Sequence, residues 1–129
     1  AEIRLINRSF DRALTIADEF GGPIKPVKWE ERTNALAGCT MVVNATSQGM
    51  QGMDALDIDL SELPVEALAA DIIYIPKETP FLAAARQRGN RTVNGLGMLL
   101  HQGRPAWKLW FGIDVEVTKE LRAKIEATL

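Results

Sequence analysis

Ile3-Arg4-Leu5-Ile6-Asn7-Arg8-Ser9-Phe10-Asp11-Arg12 is the stretch on which the reading of this chain turns. A short, largely apolar strand runs into Asn7. Phe10, Ala13, Leu14, Ala17 and Phe20 then recur at helical spacing, so the segment reads as strand, short loop and amphipathic helix. Ser9 stands where a helix N-cap is expected. Arg8 and Arg12 flank the helix N-terminus, where the peptide dipole favours anions and two fixed cations are locally unfavourable. Two readings stay open here: a site for an anionic ligand group, or solvated charges paired with Asp11 or Glu19.

Further strand-like runs follow at Met41 to Val43, Asp71 to Ile75 and Arg91 to Val93, with helical patterns between most of them. Such alternation predicts parallel strands joined by crossover helices. Pro23 to Val27 adds at most an edge strand, because its two prolines cannot donate to a central ladder. Trp29 to Ala37 reads as one short helix ended by Gly38. Thr79 and Pro80 open the next helix as capping hydroxyl and first-turn proline, and Gly89 closes it. A helix from Met98 to about Phe111 is closed by Gly112, and a last one spans roughly Thr118 to Leu129. Gln51 to Ala69 reads as a surface connection. Its acids, Asp54, Asp57, Asp59 and Glu62, lack the spacing and glycine of a calcium loop and are expected to form a solvated face, so no metal is assigned.

The chain has 129 residues, one domain's worth. Fifteen basic and seventeen acidic residues leave a net charge of -2, so no global field draws it to nucleic acid or to an anionic membrane, and any anion site must be local. No apolar run approaches the roughly 20 residues needed to cross a bilayer. The single cysteine, Cys39, beside Met41, Val42 and Val43, reads as a buried thiol in a reducing compartment, which makes the cytoplasm the expected location. No leader sequence is read at its start. The chain opens on Ala1 and enters a strand without a lead-in, so an earlier piece is expected to be missing.

In an open parallel sheet, ligands bind beyond the carboxyl ends of the strands. Those positions are polar here: Asn7, Arg8 and Ser9; Asn44, Ala45, Thr46, Ser47 and Gln48; Tyr74; and Asn94, Gly95, Leu96 and Gly97. The loop residues equally suit plain turn chemistry, and Tyr74 equally suits a core aromatic with its hydroxyl at the rim. His101 reads as structural. Gln102 lies one helical turn beyond Met98, so its amide shares that helix face and is suited to reading hydroxyls.

Taken together, three segments resemble the shikimate dehydrogenase family, specifically its C-terminal nucleotide-binding domain: Val43 to Met50, Asp71 to Tyr74 with Thr79 to Leu82, and Gly95 to Gln102. Their order and spacing carry the resemblance, which covers essentially the whole chain. It implies an α/β, Rossmann-like parallel sheet with crossover helices, lacking the first strand and glycine-rich loop, plus C-terminal helices. Residues 1–129 would be a partial NADP-binding domain. The family reduces 3-dehydroshikimate to shikimate with NADPH. By the match, Asn7, Arg8, Ser9 and Arg12 would grip the adenosine 2′-phosphate, for which arginine's planar fork is suited. No acid follows this strand at Asn7 or Arg8 to hold ribose hydroxyls, so NADP is favoured over NAD.

The resemblance further implies that Asn44, Ala45 and Thr46 run along the middle of the cofactor, and that Ile72, Gly95 and Met98 lie near the nicotinamide. Tyr74 and Gln102 would meet the substrate. The family's proton-transfer lysine and aspartate belong to an N-terminal substrate domain, so no catalytic residue is assigned in this chain, and by itself it is expected to be inactive. Trp107, Trp110, Phe111 and the Leu121 to Leu129 face would pack on that domain. Quinate/shikimate dehydrogenase and a non-catalytic nucleotide-sensing module remain alternatives, as does self-association into a homodimer.

Overall fold

A computed structural model describes residues 2–129. Strand β1 (Ile3–Ile6) leads into helix α1 (Phe10–Phe20) and pairs in parallel with β2 (Ile24–Val27), Ile3 opposite Ile24 and Ile6 opposite Val27. A second parallel sheet holds β3 (Met41–Asn44), β4 (Leu68–Asp71) and β5 (Arg91–Val93), with β4 in the middle. Helix α2 (Pro80–Gln87) connects β4 to β5, and α3 (Leu96–Phe111) and α4 (Lys119–Glu126) complete the chain. The Rossmann-like α/β reading therefore holds, with the strands divided between two sheets. A doubly wound sheet runs 3-2-1-4-5-6. The two observed sheets match its 3-2 and 4-5-6 portions.

Three expectations are corrected. Strand β4 is Leu68–Asp71, upstream of the β-branched run at Ile72 to Ile75. Leu68 to Asp71 pair with Met41 to Asn44, and at Asp71 the ladder ends because the side chain itself accepts the Ile73 N–H. Ala69 and Ala70 are poor strand formers by composition, but a strand covered on both faces by close-packed elements suits small residues. Trp29 to Ala37 forms two separate 3-10 turns, Trp29–Glu31 and Asn34–Leu36. Between them Arg32 reaches out to the carbonyl and carboxylate of Asp57, at 2.6 and 2.7 Å, and stacks over Trp29.

The third correction concerns Gln51 to Ala69. Its acids are exposed as expected, but Leu60, Leu63 and Ala67 are buried. They join Leu36, Ala69, Phe81, Leu82 and Ala85 in the core between the sheet and α2. An irregular segment shows no periodicity to betray its buried face. Among the described residues no group of three metal-ligating side chains occurs, and no helix is long and apolar enough to cross a membrane.

Candidate functional site

At the end of β1, the Asn7 side-chain oxygen accepts the Ser9 N–H at 2.9 Å and turns the chain into α1. Ser9 occupies the N-cap position in extended conformation, but its hydroxyl makes no capping bond. The helix starts through its carbonyl instead, which accepts from Arg12 and Ala13. Arg8 and Arg12 are exposed, and among the described residues neither enters an ion pair, so the pairing with Asp11 or Glu19 is not formed. Arg4, by contrast, is fully engaged. It bonds Glu2 and the carbonyls of Ala35 and Ala37, tying β1 to the segment before β3. One residue that the sequence reading passed over is Lys28. It follows β2 directly, and its ammonium lies 6.0 Å from the Phe10 ring, so a third cation borders the Arg8 and Arg12 edge. The register of two parallel strands could have found it.

The ends of β3, β4 and β5 form one connected unit. Asn44 O accepts from Ile72 N, Ile73 O accepts from Gly95 N, and the Asn94 amide donates to Lys77 O. Beneath these lies a buried polar network. Asp71, at 3 % exposure, accepts from Ile73 N at 3.0 Å, from the Thr79 hydroxyl at 2.7 Å, and from the Asn44 amide at 3.3 Å on both oxygens. Asn44 also donates to Gln48 O, and its own oxygen accepts from the N–H and hydroxyl of Thr46. Thr79 in turn caps α2 by accepting from Leu82 N.

Every polar atom of the Asn44 side chain is thus used within the protein, and the residue is buried. Its direct work is to shape the loop that carries Ala45 and Thr46, both of which are exposed. Ile72 and Tyr74 are half-buried on the next loop, and Met98 and Gln102 are exposed one turn apart on α3. Gly95 is required by close backbone approach. A Cβ there would stand 1.8 Å from Ile72 O, whereas Gly97 has nothing within 4 Å. His101 is exposed and lines a shallow depression of about 340 Å³ with Arg104, Pro105, Lys108 and Asp114, so the expected structural packing is absent. There the Arg104 guanidinium, with Lys108 near, holds the Asp114 carboxyl below its ordinary range.

The structure therefore gathers Asn44, Ala45, Thr46, Ile72, Tyr74, Gly95, Met98 and Gln102 along the carboxyl edge of one sheet. Asn7, Arg8, Ser9 and Arg12 sit at the carboxyl end of β1 in the other.

A sequence profile described as Shikimate 5'-dehydrogenase C-terminal domain matches residues 95–121. A shikimate dehydrogenase (NADP(+)) of Rhodopseudomonas palustris is 51% identical over 127 residues, covering 98% of this chain and 45% of that protein. One of Paramagnetospirillum magneticum is 50% identical over 122 residues, 95% of this chain and 44% of its own length. The chain thus spans less than half the length of these relatives. Among solved structures, quinate dehydrogenase from Corynebacterium glutamicum in complex with NAD superposes with a TM-score of 0.86 at 28% identity, over 99% of this chain and 46% of that one. Shikimate 5-dehydrogenase from Thermus thermophilus, in complex with NADP(H) and shikimate, gives 0.80 at 31% identity, over 99% and 46%. Half-identity along nearly its whole length, joined to the shared fold, matches this chain to the C-terminal, Rossmann-like portion of the shikimate dehydrogenase family.

Proposed function

We propose that this chain is the cofactor-binding part of an NADP-dependent shikimate dehydrogenase that interconverts 3-dehydroshikimate and shikimate in the cytoplasm. The observation that carries the reading is the β1 edge. Two exposed arginines stand at a helix N-terminus without an ion partner among the described residues, Lys28 borders them, and no acid is present at Asn7 or Arg8 to favour ribose hydroxyls. A doubly charged 2′-phosphate is the ligand group that such an edge suits.

Bound NADP would supply or accept the hydride. This chain's own residues bind and orient. Arg8 and Arg12 fork onto the phosphate, with Asn7 and Ser9 completing the grip. The loop at Asn44, Ala45 and Thr46 follows the middle of the cofactor. Ile72, Gly95 and Met98 border the nicotinamide, and their apolar surfaces keep water from the reacting carbon. Tyr74 and Gln102 hydrogen-bond the substrate. By the family resemblance the reaction's proton is carried by a lysine and an aspartate outside this chain, so Tyr74 and Gln102 are assigned binding alone. The exposed aromatic face of α3, with Trp107 tilted against Phe111 at 4.8 Å between ring centres and Trp110 72% exposed, would pack against the portion that the longer relatives carry in addition.

The test is the double substitution Arg8→Ala with Arg12→Ala in the full-length protein. Each lost charge-assisted bond is worth roughly 1.5–3 kcal/mol. NADP is expected to weaken by at least about a hundredfold while NAD changes little. Equal weakening of both cofactors refutes the role. A quinate-oxidising enzyme is the second reading, favoured by the superposition on quinate dehydrogenase. Turnover of quinate faster than shikimate by the full-length protein would select it.

A further inference from the structure

We infer that Asp71 is a positioning residue that holds the cofactor loop after β3 and the substrate loop after β4 in one fixed relation. The inference rests on the reading above of what those two loops bind. Asp71 itself touches neither ligand in that reading, since it is 3 % exposed beneath the site.

The geometry is specific. One carboxylate oxygen accepts Ile73 N, in the backbone of the loop that carries Ile72 and Tyr74. The other accepts the Thr79 hydroxyl, which caps α2 where that same loop ends. Both oxygens accept the amide of Asn44, whose remaining bonds fold the loop at Thr46 and Gln48. The two loops also meet by packing, because a Cβ at Gly49 would lie 3.4 Å from Thr79 Cβ and 3.7 Å from Ile73 Cδ1. A buried carboxylate with all its donors drawn from two ligand loops costs desolvation, and it is retained where those donors must stay together. An asparagine cannot replace it. Its amide has one acceptor oxygen, and its NH2 would face either the Ile73 N–H or, on the other side, the Asn44 NH2, both of which can only donate. One loop or the other then loses its anchor.

The experiment measures steady-state KM for NADP+ and for shikimate, with the melting temperature, on the full-length protein carrying Asp71→Asn. A second pair, Thr79→Val and Thr79→Ser, keeps the test open if the first variant does not fold. Asp71→Asn and Thr79→Val are expected to raise both KM values by about tenfold, the equivalent of one charge-assisted hydrogen bond. Thr79→Ser, which keeps the hydroxyl, restores both to within about twofold of wild type. A merely structural role lowers the melting temperature and the active fraction but leaves the KM values of the folded molecules unchanged. That result overturns the inference, as does a rise in one KM without the other. Failure of the underlying reading has a different signature, because the wild-type protein itself would then lack shikimate-dependent NADP+ reduction, and the inference falls with it.

Discussion

Replacing Gly95 by alanine tests the junction on which three strand ends depend. A Cβ at this position would lie 1.8 Å from Ile72 O, 2.3 Å from its carbonyl carbon and 3.1 Å from its Cα. All three are backbone atoms, so no flexible side chain can swing aside. To reach even the 3.0 Å that real Cβ contacts observe, the carbonyl must retreat by 1.2 Å, the difference between 3.0 and 1.8. That displacement strains the loop bearing Ile72 and Tyr74 and breaks the 2.9 Å bond from Gly95 N to Ile73 O. Overpacking of this kind costs about 1–3 kcal/mol and the lost bond about 0.5–1.5 kcal/mol, so a destabilisation of roughly 1.5–4.5 kcal/mol is expected.

The assay is urea unfolding of the full-length protein, followed by tryptophan fluorescence, with KM for NADP+ measured on the folded enzyme. Gly97→Ala is the matched control. Nothing lies within 4 Å of its added methyl, and in a helix alanine is favoured over glycine by up to about 1 kcal/mol, so that variant is expected to be neutral or stabilised. If Gly95→Ala unfolds within about 0.5 kcal/mol of wild type and binds NADP+ normally, the close approach has no functional consequence and the reasoning fails.

Other expectations are more local. Leu63, only 2% exposed in the segment between β3 and β4, should cost roughly 2–5 kcal/mol on substitution by alanine, because a core cavity opens; a loss under 1 kcal/mol would show that this segment is peripheral. The Asp114 carboxyl is held below its ordinary value of 3.8, first by the hydrogen bond from Arg104 and then by the charge of Lys108. Its folded value is depressed, so its contribution is fully present above pH 3.8 and is lost as the pH falls through the lower folded value. Asp114→Asn should therefore lower stability slightly at neutral pH, with the deficit against wild type vanishing as the pH falls through that window; a deficit that does not change with pH counts against the pair. The isolated 129-residue chain should show no shikimate-dependent NADP+ reduction, and any such turnover would place an acid–base group within it.

Much of the fold was legible because it rests on local rules. The Thr79 and Pro80 start of α2 was readable, and its hydroxyl does cap Leu82 N. Gly112 does end α3, in the left-handed conformation that glycine tolerates. What misled was burial without periodicity. Leu60 and Leu63 lie in an irregular segment, and β4 is built of small residues whose place in the sheet is decided by their neighbours. Ile72 to Ile75, with stronger strand propensity, lies beyond the ladder. At the candidate site, the sequence pointed to loops that the fold does bring to one sheet edge, but not to which of their polar groups are already engaged. Asn44 looked like a ligand contact, and its side chain proves to be spent inside the protein.

By itself the sequence determined the alternation of strand and helix, the polar strand ends, and two arginines at a helix N-terminus, since each follows from periodicity, capping and charge within a few residues. The tertiary structure decided which of those polar groups are free. Among the described residues Arg8 and Arg12 enter no ion pair, while Arg4, in the strand that precedes them, is consumed by carbonyls more than thirty residues away. Asp71, Asn44 and Thr79 become one network because parallel pairing sets β3 beside β4 and the α2 N-terminus returns over both. Contacts between residues distant along the chain exist only once the sheet is assembled, and no local pattern encodes them.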